Sequence, residues 1–229
     1  MTANVTQAQS AEIYDPTQHN STAEHNGVED TSTGLSHRKL LMWIFLGSDV
    51  MFFGAFIATY LVYRGRSLVG PYPSEILNIP VTSVSTFVLL MSSLAMVLGL
   101  HYLKQGEKNK ATLWILGVVV LGSIFMGFQV VEFREFVAEG LTPQVNIFGT
   151  TFFILTGIHG AHVTIGVIWM AFLAHGSHTG RLRADNAIDL EIAGLYWHFV
   201  DIVWIVIFTV IYLISATDGP PPGAELLHG

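Results

Sequence analysis

Asp49 is a carboxyl group near the middle of a long apolar stretch, within Gly-Ser-Asp-Val-Met-Phe-Phe. An ionisable group in such surroundings is costly, so it must be protonated or find a hydrogen-bond donor elsewhere in the fold. Two interpretations remain open. Asp49 is a proton-linked carboxyl group, or it is an acid that fixes the packing of neighbouring helices through a hydrogen bond.

Two further pairs of polar side chains share a spacing of three residues in apolar surroundings. His159 and His162 lie in one stretch, and His198 and Asp201 lie in the next. Because residues at i and i+3 project from the same side of a helix, we expect the two stretches to face each other through a polar seam. Imidazole would donate to carboxylate there, since polar groups in hydrocarbon must satisfy one another. A metal or haem held by these side chains is the alternative.

A third pair, Gln129 and Glu132, shares one helix face near the end of another apolar stretch. Arg134 and Glu135 follow at once. Glu132 is therefore expected close to the end of the apolar region, where a charge costs less than at its middle. We interpret Glu132 as an anchor that pairs with an arginine, and a functional acid is the alternative.

Composition predicts the elements that carry these groups. Of the 229 residues, 51% are apolar and 12% are charged, whereas an ordinary soluble domain has about twice that charged share. The mean hydropathy is +0.52, so the apolar excess must face lipid. Stretches long enough to cross ~30 Å of hydrocarbon as helix lie at about 40–63, 79–103, 111–132, 147–174 and 193–214. The sequence predicts an all-α membrane protein, with a five-helix transmembrane domain over residues 38–215.

The basic residues predict the orientation of this domain. Seven of the ten lie on one side of the membrane, and three lie on the other. The seven are Arg38, Lys39, Lys104, Lys108, Lys110, Arg181 and Arg183. Since basic residues favour the cytoplasmic side, we expect the N-terminus in the cytoplasm and the C-terminus outside.

Both ends of the chain are polar. Residues 1–37 are rich in hydroxyl, amide and acidic side chains, which favours a mobile tail, and the first twenty residues lack the pattern of a cleaved signal. Residues 216–229 form a short tail rich in Gly and Pro. The chain has no cysteine, which excludes disulfides and thiolate metal sites, and its net charge is −7. Nucleic acid is therefore not an expected partner.

Four segments of the sequence resemble a known family. Phe-Gly-Thr-Thr-Phe-Phe-Ile-Leu-Thr-Gly-Ile-His-Gly-Ala-His-Val-Thr-Ile-Gly (148–166) and Tyr-Trp-His-Phe-Val-Asp-Ile-Val-Trp-Ile (196–205) are similar to signature segments of subunit III of the haem-copper terminal oxidases. Ser-Asp-Val-Met-Phe-Phe-Gly-Ala-Phe (48–56) and Phe-Gln-Val-Val-Glu-Phe-Arg-Glu-Phe (128–136) resemble two more, in the family's order. The resemblance covers residues 38–215.

The resemblance implies a subunit without redox centres that is docked on subunit I, the haem-copper subunit, beside subunit II. Haem and copper are then expected in the partner subunits, and no cofactor, metal ligand or catalytic residue is expected in this chain. Family members bind phospholipid, keep proton uptake fast and protect the oxygen-reducing centre over many turnovers. The resemblance first implies a cytochrome c oxidase, whose electron donor is cytochrome c. The alternative is a quinol oxidase, and a relative associated with nitric oxide reduction is a third possibility.

The resemblance also assigns roles to single residues. Asp49 occupies the position of the family's buried acid, which reacts with hydrophobic carbodiimides. The positions of His159, His162, His198 and Asp201 match polar residues that tie the last two helices together, and Glu132 matches an acid of the third-helix motif. The longest members have seven helices, and this chain resembles the five-helix bacterial form, which implies a bacterial plasma membrane.

Two functions from other classes remain open. A free-standing proton-coupled transporter would use Asp49 as its relay, although no internal repeat of the kind common in transporters is evident. A membrane cytochrome would hold haem between His198 and one of the two histidines of the preceding stretch.

Overall fold

The computed structural model of this chain describes residues 36–67, 70–182, 186–215 and 218. Its helices are α1 (His37–Tyr63), α2 (Pro73–Ile76), α3 (Ile79–Lys104), α4 (Lys108–Ala138), α5 (Ile147–His178) and α6 (Ile188–Ile207), and a π-helical segment (Phe208–Ile214) continues α6. The described residues from Arg38 onward form one compact unit. The two predicted tails fall almost entirely outside the described residues.

Five helices in the described ranges are long and apolar enough to cross a membrane: α1, α3, α4, α5, and α6 with its π-helical continuation. The predicted spans are confirmed, and the largest difference lies in the third. It was expected at about 111–132, but α4 continues to Ala138. Charged side chains such as Arg134 leave the hydrocarbon without ending the helix. The end comes at Gly140, whose φ of 89° suits glycine, with Leu141 N donating to the Phe136 carbonyl at 2.8 Å.

The first loop contains one helical turn, α2, that the sequence did not predict. Pro73 occupies its first position, where the missing N–H costs nothing and the fixed φ favours helix. The Tyr72 amide donates to Glu75 Oε2 at 2.9 Å, which ties the start of the turn to its third residue. A proline in the first loop thus begins a short helix.

The inner bundle consists of α3, α4, α5 and α6, and Trp197 of α6 lies at its centre with none of its surface exposed. Its indole ring is held between two glycines. A Cβ atom on Gly122 of α4 or on Gly166 of α5 would come within 2.8 Å of the ring. The Trp197 Nε1–H donates to Ser92 Oγ of α3 at 2.9 Å. One side chain therefore contacts the three other helices of the bundle.

Helix α1 packs much less closely. Its buried residues form a single stripe, Leu46, Asp49, Phe53 and Tyr60, and its other large apolar side chains are mostly exposed. Ion pairs attach it at one end to the fifth span and at the other end to Asp218, just after that span.

At one end Lys39 of α1 and Lys104 of α3 both pair with Glu191 of α6, the second pair at 2.5 Å. At the other end Arg64 donates to both carboxylate oxygens of Asp218, at 2.5 and 2.8 Å, and to the Ile214 carbonyl at 2.9 Å. The ion pairs of the first helix therefore lie at its two ends, on either side of its buried stripe.

Candidate functional site

Asp49 lies on the buried stripe of α1 and faces α5. It is 8% exposed, and its Oδ2 lies 3.7 Å from Nε2 of His162. The distance is longer than a hydrogen bond, so the contact is electrostatic. The sequence predicted that His162 would face His198 and Asp201, but neither of these residues contacts it here. The structure instead places His162 against the acid of the first span.

The second nitrogen of His162 fixes where a proton can sit in this pair. His162 Nδ1 lies 2.9 Å from the carbonyl oxygen of Ile158. A carbonyl can only accept, so Nδ1 must carry the hydrogen. In a neutral imidazole Nε2 then presents a lone pair toward Asp49, and a carboxylate there would be repelled. The favourable arrangements have a proton on the carboxyl group or on Nε2.

Aromatic rings enclose the Asp49–His162 pair. Phe53, one turn after Asp49, is 2% exposed and meets the His162 ring edge-on with centroids 5.0 Å apart. On the other side the Tyr196 hydroxyl of α6 donates to the His162 backbone carbonyl at 2.8 Å. These contacts exclude lipid from most of the pair and connect α1, α5 and α6 at one level.

His159 points in a different direction from its neighbour in sequence. Its ring is fully buried and stacks on Trp204 of α6 with centroids 5.0 Å apart, and the edge of Phe125 of α4 lies at 6.1 Å. Neither ring nitrogen has a hydrogen-bond partner among the described residues. His159 therefore contributes to the core of the bundle through ring contacts and not through a bond to His198 or Asp201.

His198 and Asp201 of α6 meet α3 instead of α5. Ser93 Oγ lies 2.8 Å from His198 Nδ1 and also donates to an oxygen of Asp201. The predicted single seam between the fourth and fifth spans is thus divided into two parts. The i, i+3 spacing correctly places each pair on one helix face, but it contains no information about which neighbouring helix that face meets.

Glu132 also differs from its predicted pairing. Its Oε1 accepts a hydrogen bond from Thr82 Oγ1 of α3 at 2.8 Å, and within the described parts of the chain it makes no ion pair with Arg134. The acid therefore links α4 to α3 near one end of both helices. Tyr212, fully buried in the π-helical segment, lies beside the same acid.

The residues that sequence reasoning missed lie mainly on α3. Hydroxyl side chains recur on its buried face at helical spacing, and they accept from tryptophan or donate to acids on the facing helices. They are Thr82, Thr86, Ser92 and Ser93, and Ser85 lies on the same buried face but bonds to the Thr82 carbonyl of its own helix. Their i, i+3, i+4 recurrence inside an apolar span was the signal that would have found them.

Metal ligation was the open alternative for the histidines. Within residues 36–67, 70–182, 186–215 and 218, no three His, Asp or Glu side chains converge on one point. His198 faces α3, and His159 stacks on Trp204. These residues are arranged to join helices, and the described geometry brings together no set of ligands.

The fold and its buried polar pairs define a multi-pass helical membrane protein. The sequence profile described as cytochrome c oxidase subunit III matches residues 17–216 of the chain. This chain therefore belongs to the cytochrome c oxidase subunit III family, which makes it subunit III of a haem-copper oxidase in a bacterial cell membrane.

Some relatives are named as quinol oxidase subunits and others as cytochrome c oxidase subunits. The chain is 40% identical over 178 residues to a probable quinol oxidase subunit 3 of Staphylococcus haemolyticus strain JCSC1435, a match that covers 77% of this chain and 89% of the relative. It is 38% identical over 173 residues to cytochrome c oxidase subunit 3 of Bacillus sp. strain PS3, covering 76% and 84%. A probable quinol oxidase subunit 3 of Staphylococcus saprophyticus is 36% identical over 191 residues, covering 83% and 95%.

Proposed function

We propose that this chain is a subunit without redox centres that stabilises the catalytic subunit of an oxidase and supports its proton uptake. The observation that carries the proposal is the pairing of its buried ionisable groups. Asp49 meets His162, Asp201 meets Ser93, and Glu132 meets Thr82, in each case across two helices. Groups used in this way fix a scaffold. The neighbouring subunits I and II would carry haem and copper.

Asp49 with His162 is the proposed proton-linked group. The pair is buried at one level of the first and fourth spans, and its geometry favours a proton on one of the two partners. A carboxyl group beside an imidazole nitrogen offers two sites for one proton. We place its function beside proton uptake in the partner subunit, as a positioning element and not as a catalytic residue.

Phospholipid is the proposed ligand of a groove between α1 and α5. The groove has a volume of about 410 Å³ and an apolar lining that includes Phe56 and Ile154. Two of its threonines, Thr59 and Thr151, turn their hydroxyls back to carbonyls of their own helices at 2.8 and 2.9 Å. The surface that faces the groove is therefore effectively apolar, and it suits an acyl chain better than a headgroup.

Cytochrome c is the proposed electron donor of the complex, and quinol is the second candidate. The quinol candidate is favoured by the names of the Staphylococcus relatives. The choice would be made in subunit II, where a dicopper centre is present or absent, because this chain has no cysteine to contribute to such a centre.

The proposed orientation has the N-terminus in the cytoplasm. It places the cluster of Lys39, Lys104 and Glu191 on the cytoplasmic side, and it places Arg64 with Asp218 on the outer side. Labelling of single introduced cysteines in intact cells tests this. Since the chain has no native cysteine, Lys110→Cys should react only after the membrane is opened, and Glu139→Cys should react at once.

The first test of the proposed function is a mild-detergent purification through a C-terminal tag, with a reduced-minus-oxidised spectrum and identification of the co-purifying chains. Haem-containing partners with a dicopper subunit support the cytochrome c donor. The same partners without dicopper favour quinol. A colourless chain that purifies alone would overturn the proposal and return the transporter to the leading position.

A further inference from the structure

Two buried side chains of the inner bundle have polar atoms without partners. Both amide atoms of Gln129 and both ring nitrogens of His159 lack a hydrogen bond among the described residues. Gln129 is 4% exposed and His159 is 0% exposed. Each lies well inside a membrane-spanning helix, where lipid supplies neither donors nor acceptors. Leaving such groups unsatisfied is costly, so a hydrogen-bonding occupant is expected beside them.

Helix contacts place Gln129 about one helical turn from the level of His159. On α4, Phe125 meets the His159 ring at 6.1 Å, and Phe133 meets Phe152 of α5 at 6.1 Å. Gln129 lies one turn from both phenylalanines on the buried side of α4. In this antiparallel pair it therefore faces the part of α5 between Phe152 and His159.

The facing side of α3 is also polar at this level. The Thr82–Glu132 hydrogen bond sets the register of α3 against α4. Moving one turn from Glu132 to Gln129 corresponds to moving from Thr82 to Ser85 and Thr86, because the helices are antiparallel. Both of these hydroxyls are buried. Gln129 thus lies at the level of two buried hydroxyls of α3.

Trp204 closes the layer on the side of α6. Its Nε1–H donates to Thr86 Oγ1 at 2.9 Å, and its ring stacks on His159 with centroids 5.0 Å apart. Four helices therefore supply polar or aromatic groups to one layer, and the two side chains without partners lie on adjacent helices within it.

We propose that Gln129 and His159 bind an internal water molecule in this layer. An amide and a neutral imidazole each present a donor and an acceptor, and water complements both kinds of group at once. Buried waters in proteins usually hold three such bonds and are part of the structure. The water joins α4 to α5 at a level where the side chains make no direct bond and determines which nitrogen of His159 carries hydrogen. This site is independent of the electron donor and of the Asp49–His162 pair.

Hydroxyl-radical footprinting of the assembled oxidase in detergent tests the site, because X-ray radiolysis converts bound water into radicals that modify adjacent side chains. Trp197 is a matched control for Trp204. They are 0% and 1% exposed, and each donates its Nε1–H to an α3 hydroxyl at 2.9 Å. Trp197 lies between Gly122 and Gly166, away from the layer. We expect Trp204 to be modified several-fold faster than Trp197.

Equal rates at the two tryptophans would overturn the proposal. Slow modification of both means a dry layer, and fast modification of both means general opening of the bundle. The double variant Gln129→Leu with His159→Phe removes the proposed partners of the water. In the assembled complex it should lower the rate at Trp204 to that of Trp197, and an unchanged rate would also overturn the proposal. The wild-type comparison stands by itself if the double variant does not assemble.

Discussion

Helix α1 and the inner bundle of α3 to α6 are joined by different kinds of interaction. The bundle is held by ring and glycine packing around Trp197 and by hydroxyl bonds from α3. Helix α1 is held by ion pairs at its ends and by Asp49 with His162 between them. The two regions should therefore respond differently to substitution. Loss of one packing contact affects the whole bundle, whereas loss of one polar contact loosens only α1.

The largest effect is expected from Trp197→Ala, since this side chain contacts every other helix of the bundle. Loss of a large buried aromatic side chain costs about 3–5 kcal/mol. We expect the subunit to dissociate from the oxidase during detergent washing and to unfold at lower temperature. Trp43→Ala is the control, because Trp43 of α1 is 55% exposed. Equal retention of the two variants would mean that the bundle does not depend on this contact.

Ser93→Ala should have the next largest effect. It removes the hydroxyl that joins His198 and Asp201 to α3, and leaving buried partners without a bond costs about 1–3 kcal/mol. We expect a lower melting temperature of the subunit in the purified complex. Ser83→Ala is the matched control on the same helix, because Ser83 is exposed and bonds only to the Ile79 carbonyl. A loss of similar size in both variants would remove the argument for a specific junction.

Arg64→Ala should loosen α1 while the bundle stays intact. Its bonds to Asp218 and to the Ile214 carbonyl lie at the edge of the structure, and partly exposed ion pairs contribute about 1 kcal/mol or less. We expect faster hydrogen exchange at the end of α1 and little change in α4 or α5. Arg66→Ala, a neighbouring exposed position, should leave both unchanged. Faster exchange throughout the bundle would contradict the division into two regions.

The smallest effect is expected from Asp49→Asn. Asparagine keeps the shape of the side chain, and its amide can donate to His162 Nε2, so assembly should remain intact. Turnover or its persistence over many cycles should change only modestly, because the proton site on the carboxyl group is lost. Oxygen consumption by the purified complex measures both quantities. Immediate loss of all activity in a fully assembled complex would contradict a supporting role for this chain.

The sequence was sufficient for the spans but not for their pairing. Hydropathy determines where a helix can cross a membrane, which is why the five predicted spans agree with the structure within a few residues, apart from the longer ends of α4 and α6. The face of α6 that carries His198 and Asp201 was also predicted. The helix that this face meets was not predicted. It depends on Ser93 of α3 and on Gly166, which lets Trp197 pack against α5.

Local backbone features were also beyond the sequence. The π-helical segment turns Tyr212 into the core beside Glu132, and nothing in an apolar run distinguishes a π turn from an α turn. The roles of Asp49, the three histidines, Asp201 and Glu132 stay predictions. The structure assigns each of them a position, and the variants described above test Asp49, His159 and the junction of His198 and Asp201 with Ser93.

The attachment of α1 has a consequence for the order in which the protein is made. The partners of this first helix are the last to be synthesised, since His162 lies on α5, Glu191 on α6 and Asp218 beyond it. Helix α1 enters the membrane long before any of them leaves the ribosome, so it must wait undocked while the chain is completed. Folding of the subunit therefore ends with the docking of α1, which follows the insertion of the last span.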